Sequence, residues 1–133
     1  MRRRLHCTAL VAGVLVTAAA LTACGGDDDD GGGESVTVTN GQVTVEARDT
    51  AFDYTEIDTT PGDLEVTLVE AGSLDHTFVV EDAEGNAIEP KLTVGGGTDR
   101  DSGTYALQPG DYEYFCDIPG HRGQGMEGTL VVQ

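Results

Sequence analysis

The sequence predicts an all-β protein, a Greek-key β-sandwich or barrel of seven to eight strands. Three observations predict it. From Val36 onward, short runs alternate apolar and polar residues with period two. Turn signals separate these runs: Asn40-Gly41, Pro61-Gly62, Gly85-Asn86 and Pro109-Gly110. No stretch carries a convincing helical period.

Taken in order, Val36–Thr39 and Gln42–Glu46 flank Asn40-Gly41 and read as a two-strand hairpin closed by a two-residue turn. Ala51–Tyr54 with Ile57 forms one irregular strand that ends at Pro61-Gly62. Leu64–Val69 alternates cleanly, and His76–Val80 is a further strand. A short strand is expected within Ile88–Val94, followed by a loop over Gly95–Gly103. Thr104–Leu107, Asp111–Cys116 and Thr129–Val132 complete the set. There is no internal repeat.

What precedes the strands has a different character. Residues 1–23 combine a basic start (Arg2, Arg3, Arg4), an apolar run from Leu10 to Leu21 and a small-residue cleavage site, the layout of a secretory leader. Leu21–Cys24 resembles the lipobox of bacterial lipoproteins, which implies a lipidated Cys24 as the new N-terminus. Acyl chains would then hold the protein at the outer face of the cell membrane, an extracytoplasmic location. The alternative is an uncleaved membrane anchor, since Leu5–Ala23 is almost long enough to span. Residues 24–35 are rich in Gly and Asp, bury nothing and read as a flexible tether. The folded domain is assigned to residues 36–133.

Without the leader, four basic residues face 24 acidic ones, a formal charge of −20. Such a balance excludes nucleic acid, whose phosphates would repel the chain. It permits steering towards basic protein partners, and it also suits a salt-loving host. The bland alternative is a generally acidic surface with no meaning for partners.

Cysteine use is more pointed. Cys116 stands alone in the folded part, and an unprotected thiol is a liability in an oxidising compartment. A metal would protect it. Cys116, His121 and Met126 follow one another at intervals of five residues, on a loop shaped by Pro119, Gly120, Gly123 and Gly125. Thiolate, imidazoles and a weak axial thioether are the ligand set of a blue-copper electron-transfer centre. That set needs a second imidazole, and His76 is the one other histidine outside the leader. Each residue alone has an ordinary reading: a strand histidine, a core methionine, a small buried cysteine. Their joint occurrence favours the metal.

Pro109–Leu130, with its Cys-x4-His-x4-Met spacing, resembles the C-terminal signature of the cupredoxins, the plastocyanin and azurin superfamily. The spacing is most similar to that of auracyanin-like members, and Asp75-His76-Thr77-Phe78 resembles the motif of the first ligand. The resemblance covers roughly residues 43–133. It implies a cupredoxin-like sandwich holding one copper ion that cycles between Cu(I) and Cu(II). Cys116 would supply the short covalent bond, His76 and His121 the two nitrogens, and Met126 the long axial contact. Thr77 would hydrogen-bond the thiolate through its backbone amide, with Asp75 and Pro119 as further supports around the ligands. His121 would be the exposed edge through which electrons leave. Relatives often carry Asn about six residues before the first histidine, where this chain has Glu70.

The functional expectation is a membrane-tethered one-electron carrier between redox proteins, a basic c-type cytochrome being one candidate partner. The alternative is a copper-sequestering protein or chaperone. A single methionine and two histidines beyond the leader disfavour it, because such proteins use Met-rich or His-rich ligand sets. An oxidase or reductase would need further copper sites, and no histidine remains to build one. No enzyme is expected.

Overall fold

The computed structural model describes residues 33–133. The expected leader, lipidated Cys24 and nearly all of the tether lie outside the described residues. Among the described residues, no helix is long and apolar enough to cross a membrane.

Alternation decides which face of each strand is buried. In β2 (Gln42–Arg48) the residues Val43, Val45 and Ala47 point inward, and in β5 (Gly62–Glu70) Leu64, Val66 and Leu68 do. The other strands are β1 (Glu34–Val38), β3 (Ala51–Phe52), β4 (Tyr54–Thr59), β6 (His76–Glu81), β7 (Ala87–Val94), β8 (Arg100–Leu107), β9 (Gly110–Phe115) and β10 (Glu127–Val132). They form a six-stranded sheet in the order β1-β4-β10-β9-β6-β7 and a four-stranded sheet in the order β3-β2-β5-β8. Both sheets mix parallel and antiparallel pairs, and their inner faces share one core.

Ten strand segments are present among the described residues: each run read above forms a strand, and the run over Ala51–Ile57 divides between the sheets. The Asn40-Gly41 turn exists, with Gly41 at φ 70°. It closes no hairpin: β1 pairs in parallel with β4, and β2 with β5. The expected irregular strand over Ala51–Ile57 likewise breaks at Asp53. The Asp53 carboxylate accepts from the amides of Glu46 (2.9 Å) and Tyr54 (3.0 Å), so β3 stays with one sheet while β4 crosses to the other. Burial pushes the Asp53 pKa up against those two amide bonds. The loop expected over Gly95–Gly103 is shorter than its glycines implied, since β8 begins at Arg100. Gly103 serves close approach: a methyl there would lie 2.2 Å from Cγ of Pro90 on β7.

Phe52, Phe78, Tyr105 and Tyr114 fill the centre of the core. The two tyrosines keep their hydroxyls satisfied, Tyr105 donating to the Pro90 carbonyl and Tyr114 to that of Tyr54, each at 2.6 Å. Burial raises both phenol pKa values.

Candidate metal centre

Strand order brings the site together. β6 and β9 are antiparallel neighbours with Val79 opposite Phe115. The start of β6, His76, therefore lies at the same end of the sheet as the exit from β9, Cys116. From there the chain loops through residues 116–126 and returns as β10, Glu127 pairing with Phe115.

The loop is held by its own backbone. The Cys116 amide donates to the Met126 carbonyl (3.1 Å), and the Met126 amide donates to the His121 carbonyl (3.1 Å). The amide of His121 donates in turn to the Ile118 carbonyl (3.1 Å). A 3-10 turn, Arg122–Gln124, follows His121 and ends at Gly125 in the left-handed region, φ 100°. Arg122 clamps the turn to the sheet: its guanidinium lies 4.0 Å from the Phe115 ring centroid and bonds Glu113 (2.7 Å) and Glu127 (2.8 Å).

One ligand atom each from His76, Cys116 and His121 falls within 4.8 Å of the others. Cys116 and His76 are fully buried, and His121 is half-buried. Cys116 Sγ lies 3.5 Å from His121 Nδ1. Both ring nitrogens of His76 are buried without a hydrogen-bond partner among the described residues. An imidazole stripped of water and left unpaired costs free energy unless something polar fills the space it faces. Burial also holds its pKa below the ordinary imidazole value, against the opposing charge of Glu70. The ring is thus neutral near pH 7, the form that ligates. The three side chains fit one metal ion.

Around them, the Thr77 amide donates to Cys116 Sγ (3.4 Å). The Thr77 hydroxyl donates to Asp117 Oδ1 (2.7 Å) and accepts from the Asp117 amide (2.9 Å), which ties β6 to the ligand loop. Lys91 of β7 reaches the other oxygen of Asp117 at 2.5 Å and holds that carboxyl below its usual range, helped by Thr77. Sequence reasoning missed this Asp117–Lys91 link. The available signal was Lys91 itself, the single lysine of a strongly acidic chain.

Met126 is fully buried, and its backbone closes the loop. Asp75 and Pro119 are both exposed. Asp75 packs against Gly95 across the β7 end: a methyl on Gly95 would lie 2.2 Å from Asp75 Oδ1 and 2.6 Å from its Cα, and Gly95 has φ 105°. Gly95→Ala combines backbone strain with overpacking and is expected to cost about 2–4 kcal/mol. Its urea midpoint should fall accordingly; an unchanged midpoint refutes the argument.

A sequence profile of copper-binding proteins, the plastocyanin/azurin family, matches residues 38–133. The chain belongs to this family. Solved structures share its cupredoxin fold. An auracyanin from the photosynthetic bacterium Roseiflexus castenholzii is 20% identical, with a TM-score of 0.60 over 72% of this chain and 99% of its own. Rusticyanin from Thiobacillus ferrooxidans is 21% identical, with a TM-score of 0.57 over 74% of this chain and 82% of its own. Auracyanin A, a "blue" copper protein from the green thermophilic bacterium Chloroflexus aurantiacus, is 20% identical, with a TM-score of 0.54 over 74% of this chain and all of its own. No curated protein matches the chain. Within the plastocyanin/azurin frame, the His76–Cys116–His121 cluster lies where β6 and the β9–β10 loop meet.

Proposed function

We propose that the protein is a type 1 (blue) copper protein that carries one electron at a time between redox partners, and that it is not an enzyme. The observation that carries this reading is the convergence of His76, Cys116 and His121 within 4.8 Å, with both His76 nitrogens unpartnered. When bound, the copper ion supplies the one-electron couple. The remaining work belongs to the chain. Cys116, His76 and His121 would hold the ion, and buried Met126 would supply a weaker thioether ligand. The Thr77 amide, aimed at Cys116 Sγ, favours a thiolate. A ligand loop fastened to β6 through Thr77–Asp117 and to β9 and β10 through Arg122 keeps ligand positions nearly fixed between oxidation states. Small reorganisation speeds electron transfer. Half-buried His121 gives the electron an exit edge.

The leader and Cys24 support an extracytoplasmic protein held at the membrane by lipid, with the Gly/Asp tether as its spacer. The large negative charge supports a basic redox partner such as a c-type cytochrome.

Addition of one equivalent of Cu(II) to the protein tests the reading. An intense visible thiolate-to-copper band that disappears on reduction is expected. A pale complex without that band would overturn it and favour copper sequestration.

A further inference from the structure

Glu70, the last residue of β5, is a half-buried acid that the ligand set leaves unused. Its side chain is 12% exposed. One oxygen, Oε1, accepts from the Gly72 amide at 2.8 Å, which fixes the carboxylate's orientation. The other, Oε2, is buried with no hydrogen-bond partner among the described residues. It lies 3.9 Å from Nε2 of His76, which is itself unpartnered.

Several features hold Glu70 there. Its amide donates to the Asp99 carbonyl (2.9 Å), and the next amide, that of Ala71, donates to Ala47 on β2 (2.9 Å). Gly72 leaves room: a methyl there would stand 2.9 Å from the Asp49 amide and 3.4 Å from Glu70 Oε1. An unpaired buried carboxylate oxygen is costly, and so is an unpaired buried imidazole. Here two such atoms face each other, with a gap about 1 Å beyond an ordinary N–H···O bond.

We propose that Glu70 is a positioning residue for His76: its carboxylate accepts the Nε2 proton while the opposite ring nitrogen is free to ligate. This rests on the copper reading above. A metal-bound imidazole commonly gives its second N–H to a carboxylate or a carbonyl, which fixes the tautomer and makes the ligand more basic. A full negative charge at that place also favours the more positive state of the centre, Cu(II) over Cu(I). Asp49 and Asp75 add negative charge around the same ring, so Glu70 acts with its surroundings. The Thr77 amide on Cys116 acts in the opposite sense, by stabilising charge on sulfur. Glu70 is therefore the chain's own lever towards a lower potential.

Glu70→Gln keeps the shape, removes the charge and leaves one acceptor oxygen, for the Gly72 amide or for His76; Glu70→Leu removes the charge and both acceptors. In Glu70→Gln the ratio of Cu(II) to Cu(I) affinity is expected to fall about tenfold, which raises the midpoint potential by about 59 mV. The visible band and the thermal midpoint of the metal-free protein should stay close to those of the parent. A parent-like affinity ratio in a variant that keeps the band overturns the role of Glu70 and leaves the copper reading intact. Absence of the band in the parent overturns both. If the variants do not fold, proton NMR of the Cu(I)-loaded parent decides: a His76 Nε2 proton protected from exchange and shifted downfield supports the bond, and a rapidly exchanging one overturns it.

Discussion

Cys116→Ser is expected to abolish the intense visible band of the copper-loaded protein and to weaken Cu(I) binding by more than roughly 100-fold. Loss of a hydrogen-bonding partner around a metal costs about 10–100-fold, and loss of the one soft anionic ligand must exceed that. The fold itself should survive, because serine is close to cysteine in size and the Cys116 amide bond to Met126 does not involve the side chain. The hydroxyl would occupy a fully buried position beside Thr77, from which it can accept the amide that now points at sulfur. Absorption spectroscopy and competition with a Cu(I) chelator measure the two effects. A variant that keeps the band would remove Cys116 from the centre.

Phe78→Ala is expected to destabilise the metal-free protein by about 3–5 kcal/mol. Phe78 is 1% exposed and stacks on Tyr114 with ring centroids 4.9 Å apart. Phe52 approaches it edge-on at 5.6 Å, and Tyr105 lies at 6.3 Å. Truncation would open a cavity lined by three aromatic rings, none of which can shift freely. Tyr105 and Tyr114 are tied by hydroxyl bonds to Pro90 and Tyr54, and Phe52 sits on a two-residue strand. The cost should also reach the site, because Phe78 lies two residues after His76 on the same strand and the same face. Urea denaturation without copper is the appropriate measurement, since bound metal would add its own stabilisation to the folded state. A loss below about 1 kcal/mol would mean that the cluster collapses around the gap and that its rings are less fixed than their geometry implies.

Much of this protein was legible in the chain. Strand cores at Gln42–Glu46, Leu64–Val69, His76–Val80, Asp111–Phe115 and Thr129–Val132 announce themselves because alternation marks the face that must leave water. The spacing of Cys116, His121 and Met126, with glycines between them, placed three side chains on one turn-rich loop. That loop lies between two neighbouring antiparallel strands, so local sequence carried most of its geometry.

Tertiary structure decided what depends on residues distant in sequence. Period two shows which side of a strand is buried but not which strand lies beside it. The segments around Asn40-Gly41 accordingly read as a hairpin, yet each found a parallel partner far along the chain, Val36 beside Ile57 and Val45 beside Leu68. Asp53 looked like one polar residue inside a strand; its two amide bonds make it the point where the chain changes sheets. The link from Thr77 through Asp117 to Lys91 fastens the loop after β9 to the β6–β7 pair, far from it in sequence. Glu70 was visible in the sequence only as a departure from a family pattern. Its meaning, a carboxylate whose buried oxygen faces an unpaired imidazole nitrogen, arises because the end of β5 and the start of β6 come together. Sequence alone determined which side chains could hold a metal ion and which faces are buried, since these follow from side-chain chemistry and strand period. Partner choice and the surroundings of the ligands were settled by the packing of two sheets over one core.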